Sequence, residues 1–131
     1  RTMRLPVLLL FVALGVLGCD PGMQMRGTVR SLPSWNGQAY VEGEPVADAV
    51  VGVYCHGQEE PKLSAVSQAD GSFEVIQVGI MPNDCEVRVE HADRRAPRLQ
   101  VGDLCAVYSH NFGGCHAFTY HAELPPAGET R

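Results

Sequence analysis

The sequence predicts an all-β fold, a sandwich of seven short strands. Three observations lead there. Short stretches alternate apolar and polar residues with period two. Turn signals such as Asp70-Gly71 and Pro125-Pro126 punctuate them. No 11-residue window after Cys19 carries the apolar stripe of an amphipathic helix.

The first expected strand is Met25–Arg30, Met-Arg-Gly-Thr-Val-Arg. Residues 31–44 follow as the longest irregular stretch, and Trp35 and Tyr40 within it are candidates for either a binding surface or a buried plug. Val46–Cys55 is the second strand, with Val51, Val53 and Cys55 in phase. Lys62–Ser67 alternates weakly as the third, and Phe73-Glu74-Val75 resumes after the Asp70-Gly71 turn. Cys85–His91 alternates strictly, Cys85, Val87 and Val89 on one side and charges on the other. Residues 92–98 form a loop whose three arginines, Arg94, Arg95 and Arg98, are expected to be solvated. Arg98–Val101 and Leu104–Tyr108 read as one broken strand. His116–Leu124 is the last, with Phe118, Tyr120, Ala122 and Leu124 in phase, and residues 125–131 are expected to be a disordered tail.

In front of this domain lies a targeting pattern. Residues 5–17 are uncharged, and thirteen residues of helix span about 20 Å, short of a ~30 Å hydrocarbon core. Arg4, the apolar run and the small Gly18 stand in signal-peptide order. Val16-Leu17-Gly18-Cys19 resembles a bacterial lipobox. That resemblance implies cleavage before Cys19 and lipidation of its sulfur and new amine, palmitate being a usual acyl chain. The alternative is plain secretion with Cys19 a spare thiol. The expected organisation is therefore signal peptide 1–18, anchored linker 19–24, sandwich 25–124 and tail 125–131, on a lipoprotein of the bacterial cell envelope, facing periplasm or surface. Removing residues 1–18 leaves 8 basic and 15 acidic residues, a net charge of −7. Such a balance argues against nucleic acid and against a polybasic clamp on anionic lipid. The membrane is then reached through the lipid on Cys19.

"MRGTVR", "GEPVADAVVGVYC", "SAVSQADGSFEV" and "CEVRVEH", in that order, resemble the carboxypeptidase regulatory-like domain. Gly27-Thr28-Val29, Glu44-Pro45-Val46 and Asp70-Gly71-Ser72-Phe73 hold its motif positions across residues 25–91. The long insert between Val29 and Pro45 departs from the pattern, as does Cys85. The resemblance implies an Ig-like/transthyretin-like sandwich and a non-catalytic accessory or binding role. It also bears on Cys55, Cys85, Cys105 and Cys115, which in an exported protein read as two disulfides with three possible pairings. The family's second and fifth strands are antiparallel neighbours, which implies Cys55–Cys85 and leaves Cys105–Cys115.

Function is less legible. His110, His116 and His121 invite a copper or zinc reading. Strand phase separates them, placing His116 with Phe118 and Tyr120 and His121 on the opposite face. Oxidised cysteines are lost as ligands and nucleophiles. No Gly-x-Ser-x-Gly, phosphate loop or His-Glu-x-x-His occurs. The Tyr-Arg-Gly-Ser end of hydroxyisourate hydrolases and the His-x-His of intradiol dioxygenases are also absent. The expectation is a non-catalytic envelope module without a cofactor, binding a protein or glycan. The alternative is metal handling through His110, His116 and His121.

Overall fold

The computed structural model describes residues 22–126. The signal peptide expected over residues 1–18, the lipidation expected at Cys19 and residues 127–131 lie outside them. The chain is an all-β sandwich. Its strands are β1 (Gly22–Ser31), β2 (Ser34–Trp35), β3 (Tyr40–Val41), β4 (Val50–Tyr54), β5 (Leu63–Val66), β6 (Ser72–Val78), β7 (Glu86–His91), β8 (Arg94–Arg95), β9 (Leu99–Gln100), β10 (Cys105–Ser109) and β11 (Gly114–Leu124). Seven of them are four residues or longer. One sheet runs β10-β11-β1-β6, with β1 and β11 parallel. The other runs β5-β4-β7-β8, and β9 also pairs with β7. The strands β2 and β3 make a separate ribbon.

Alternation explains which face each strand buries. Met23, Met25 and Val29 of β1 point into the core, as do Phe118, Tyr120, Ala122 and Leu124 of β11. Val51 and Val53 of β4 and Val87 and Val89 of β7 come from the facing sheet, all fully buried or nearly so. Leu63, Phe73 and Met81 fill the remaining space. Removing these side chains from water is the main force holding the two sheets together.

Turn chemistry sets the corners. Gly71 adopts a left-handed φ of 83°. The Asp70 carboxylate accepts hydrogen bonds from the Ser72 hydroxyl at 2.6 Å and its backbone N–H at 2.9 Å. These bonds, the hydroxyl's first, hold the carboxyl below its usual range.

The chain departs from expectation in five places. First, β1 begins at Gly22 and Met23 is buried, so strand replaces the second half of the linker expected at 19–24. Second, Val46–Ala49 is a turn, with Asp48 at φ 63°, because the buried Ser67 hydroxyl donates to Val46 O and accepts from Ala49 N–H. Third, the broken strand over 98–108 is two strands in different sheets, joined by a helical turn, α1 (Val101–Leu104). Val101 is fully buried and anchors that crossing. Fourth, Arg94 is 8% exposed, whereas it was expected to be solvated. Its guanidinium donates to Ser31 Oγ and Pro125 O, both at 3.2 Å, and lies 3.1 Å from His91 Nδ1. Fifth, Pro125 is buried against that arginine, so the tail does not begin at 125.

Candidate functional site

The two disulfides join Cys55 to Cys85 and Cys105 to Cys115. Tyr54 pairs with Glu86 in the β4–β7 ladder, so the residues just beyond them, Cys55 and Cys85, meet with Cα atoms 4.3 Å apart. Cys105 and Cys115 tie the β10–β11 hairpin, Cα to Cα 5.9 Å. With its sulfur in a bond, none of the four can act as a thiolate nucleophile or ligand.

The histidines fall apart in space, though for a different reason from the one strand phase suggested. Cys115 and Phe118 are three residues apart, yet both are buried. Val107 pairs with Ala117 and Tyr108 with Cys115, so His116 is the extra residue of a β-bulge. Its ring does not join Phe118 and Tyr120 inside. His116 Nδ1 lies 2.8 Å from Gly22 O, and the ring meets Phe112 edge-on at 6.2 Å. His121 Nδ1 lies 2.8 Å from Thr28 Oγ1. Gly22 and Thr28 are six residues apart on β1, about 20 Å, too far for one metal ion. His110 sits edge-on to Tyr108 at 5.1 Å. Among the described residues, no group of three or more His, Cys, Asp or Glu is arranged to hold a metal.

What the fold does gather is surface, and it sorts by position along the strands. The ten residues of β1 cover roughly 30 Å between two poles. Gly22, Val78 and the Ser109–Gly114 hairpin mark the first pole. At the second pole Ser31 N–H bonds to Glu44 O, Leu32 N–H to Leu124 O, and the β2–β3 ribbon projects.

The ribbon is a small built element. Asn36 Oδ1 accepts from the N–H groups of Gln38 and Ala39, both at 2.9 Å. Gly37 takes the left-handed φ of 99° that the turn needs. Trp35 and Tyr40 are paired across the ribbon, rings edge-to-face at 5.4 Å. They are 60% and 77% exposed, which rules out the buried plug. The stretch expected to be irregular is therefore a hairpin in part, and Asn36-Gly37 is the short hairpin signal in the sequence that marks it.

Beside the ribbon's root lies a cleft of about 540 Å³, lined by Leu32, Ala96, Pro97, Tyr120 and Pro125 together with the polar Arg95, His121 and Glu123. β10 pairs only with the first part of β11, so the later residues of β11 form an open strand edge along this cleft. A shallow polar groove of about 600 Å³ continues onto the outer face of the β11-β1-β6 sheet, lined by Arg26, Thr28, Glu74, Thr119 and His121. Cleft and groove meet at His121, which lines both. No family model, curated protein or solved structure matches this chain.

Proposed function

We propose that this chain is a lipid-anchored, non-catalytic β-sandwich module of the bacterial cell envelope, built on a carboxypeptidase regulatory-like plan. It holds an envelope protein or glycan at the pole that carries Trp35 and Tyr40. The observation that carries this reading is the placement of that pole. The domain's first strand begins at Gly22, three residues after the lipobox cysteine, and the exposed aromatic pair sits about 30 Å away at the other end of the strand. An anchor at one pole turns the other outward. Rigid, exposed aromatic side chains supply contact area at low entropic cost, whether the partner is a protein surface or a sugar face.

The net charge of −7 without residues 1–18 supports a partner other than nucleic acid. Four oxidised cysteines suit an exported domain. The ordered family motifs also fit the fold: β4 and β7 are antiparallel neighbours, as the resemblance implies.

The test uses the full chain in a bacterial host. A clickable fatty acid should label the protein, and Cys19→Ser should abolish the label. A photo-crosslinker at Tyr40 should capture a discrete envelope component, and Trp35→Ala should reduce that capture at least several-fold. Labelling that survives Cys19→Ser removes the anchor from this reading. Capture indifferent to Trp35 removes the ribbon as its recognition element.

A further inference from the structure

The outer face of the β10-β11-β1-β6 sheet is not uniform along its strands. Register places Ser72, Thr28 and His121 in one row, and Glu74, Arg26 and Thr119 in the next. The row after that reads Ile76, Gln24, Ala117 and Val107, and the last has Val78 beside Gly22. Charge and hydroxyl therefore give way to apolar groups in one direction only, toward Gly22. Ile76 is 63% exposed, Val78 71%, Val107 52% and Phe112, in the hairpin at the same pole, 54%. The buried partners on β1, Met23 and Met25, and on β6, Phe73, show that Gln24, Ile76 and Val78 point the other way, to the outside. With sheet strands about 4.8 Å apart, the patch spans roughly 14 Å from β6 to β10. Neither last row contains a charged side chain.

We propose that this apolar end lies in the headgroup region of the bilayer that holds the lipid of Cys19. The inference rests on the lipid-anchor reading and adds an orientation to it. The length of chain outside the described residues selects the occupant. Cys19 is three residues from Gly22, so its Cα lies within about 11 Å of the strand's first Cα even when the chain is fully extended. A diacylglyceryl cysteine sits at the boundary of headgroups and acyl chains, and apolar faces bound at an interface settle about 5–10 Å into that zone. The leash is too short to lift the Gly22 pole clear of it. Apolar side chains on that pole are then in place to enter it, with Phe112 and Tyr108 as interfacial aromatics. The domain is thereby held upright, its ribbon away from the membrane.

The test takes lipidated full-length protein, purified from the host and reconstituted in phosphatidylethanolamine/phosphatidylglycerol vesicles with or without brominated acyl chains. Trp35 is the sole tryptophan, so the wild-type chain reports the far pole. In a Trp35→Phe background, Phe112→Trp or Val78→Trp reports the near one. The expected result is emission from either introduced indole that is blue-shifted and quenched roughly twofold or more by brominated lipid, with Trp35 unquenched in the wild type. The two positions stand at opposite sides of the patch, so one variant suffices if the other fails to fold by circular dichroism. If the protein carries lipid and pellets with vesicles yet neither indole is quenched, the orientation is overturned and the anchor stands. A blue shift without quenching, together with cross-linked dimers, assigns the patch to a second copy and overturns the proposal too. Absence of the fatty-acid label removes the anchor and this inference together.

Discussion

Gly27 is a point of close approach between strands β1 and β11. It stands between Tyr120 on β11 and Phe73 on β6, the two rings it separates in the core. A Cβ on Gly27 would come 1.7 Å from Tyr120 O and 3.0 Å from the Phe73 ring. The obstruction is backbone, so no rotamer change relieves it. Gly27→Ala is expected to destabilise the domain by about 1–3 kcal/mol through overpacking, read as a lowered midpoint in urea. An unchanged midpoint would mean that β1 and β11 can separate without cost. Tyr120 makes a second test at this scale. Burial, and then the nearby Glu123 carboxylate, raise its phenol above the ordinary 10. The unfolded chain therefore releases this proton first as pH rises. The stability linked to the group is complete below pH 10 and is lost above it, toward the raised native value. Tyr120→Phe should make stability fall less steeply as pH rises above 10, measured by urea titration at each pH. At neutral pH it should change stability by no more than about 1 kcal/mol.

Among elements, the two disulfides do different work. Cys55–Cys85 joins neighbouring strands of one sheet and closes a span of 30 residues. Cys105–Cys115 spans 10 and holds a bulged hairpin in register. Chain entropy assigns about 3–4 kcal/mol to the first and about 3 to the second, both upper estimates. Paired Cys→Ala substitutions should reproduce that order in chemical denaturation, the Cys55/Cys85 pair costing more. The reverse order would show that the hairpin is the weaker unit in the folded state. Legibility also varied by element. The segments around β4 and β7 were plain because Val51, Val53, Val87 and Val89 alternate without interruption. The end of β6 is not legible in the sequence because Ile76, Gln77 and Val78 are all exposed and leave no buried mark. The α1 turn was missed because Val101 belongs to a core it enters from the side, through a backbone bond to Cys85 O. Arg94 was misread because its partners, Ser31 and Pro125, are 63 and 31 residues away.

For the whole molecule, the consequential property is polarity from pole to pole. The apolar rows and the Ser109–Gly114 hairpin gather at one end of β1, and the ribbon and cleft at the other. The exposed apolar rows and the exposed aromatic pair are thereby kept about 30 Å apart along one sheet. The sequence by itself determined the all-β class, the core side of most strands and the four cysteines that pair as two disulfides. Those features are written locally, in alternation, in turn dipeptides and in the placing of Cys55 and Cys85 at the ends of alternating runs. Only the tertiary structure decided what the outward faces compose. The parallel pairing of β1 with β11 puts Thr28 against His121, 93 residues away, and parts His121 from His116. Outward residues carry no periodic signal of their own partners. Their neighbours follow from strand order and register, and these are set by burying the opposite face.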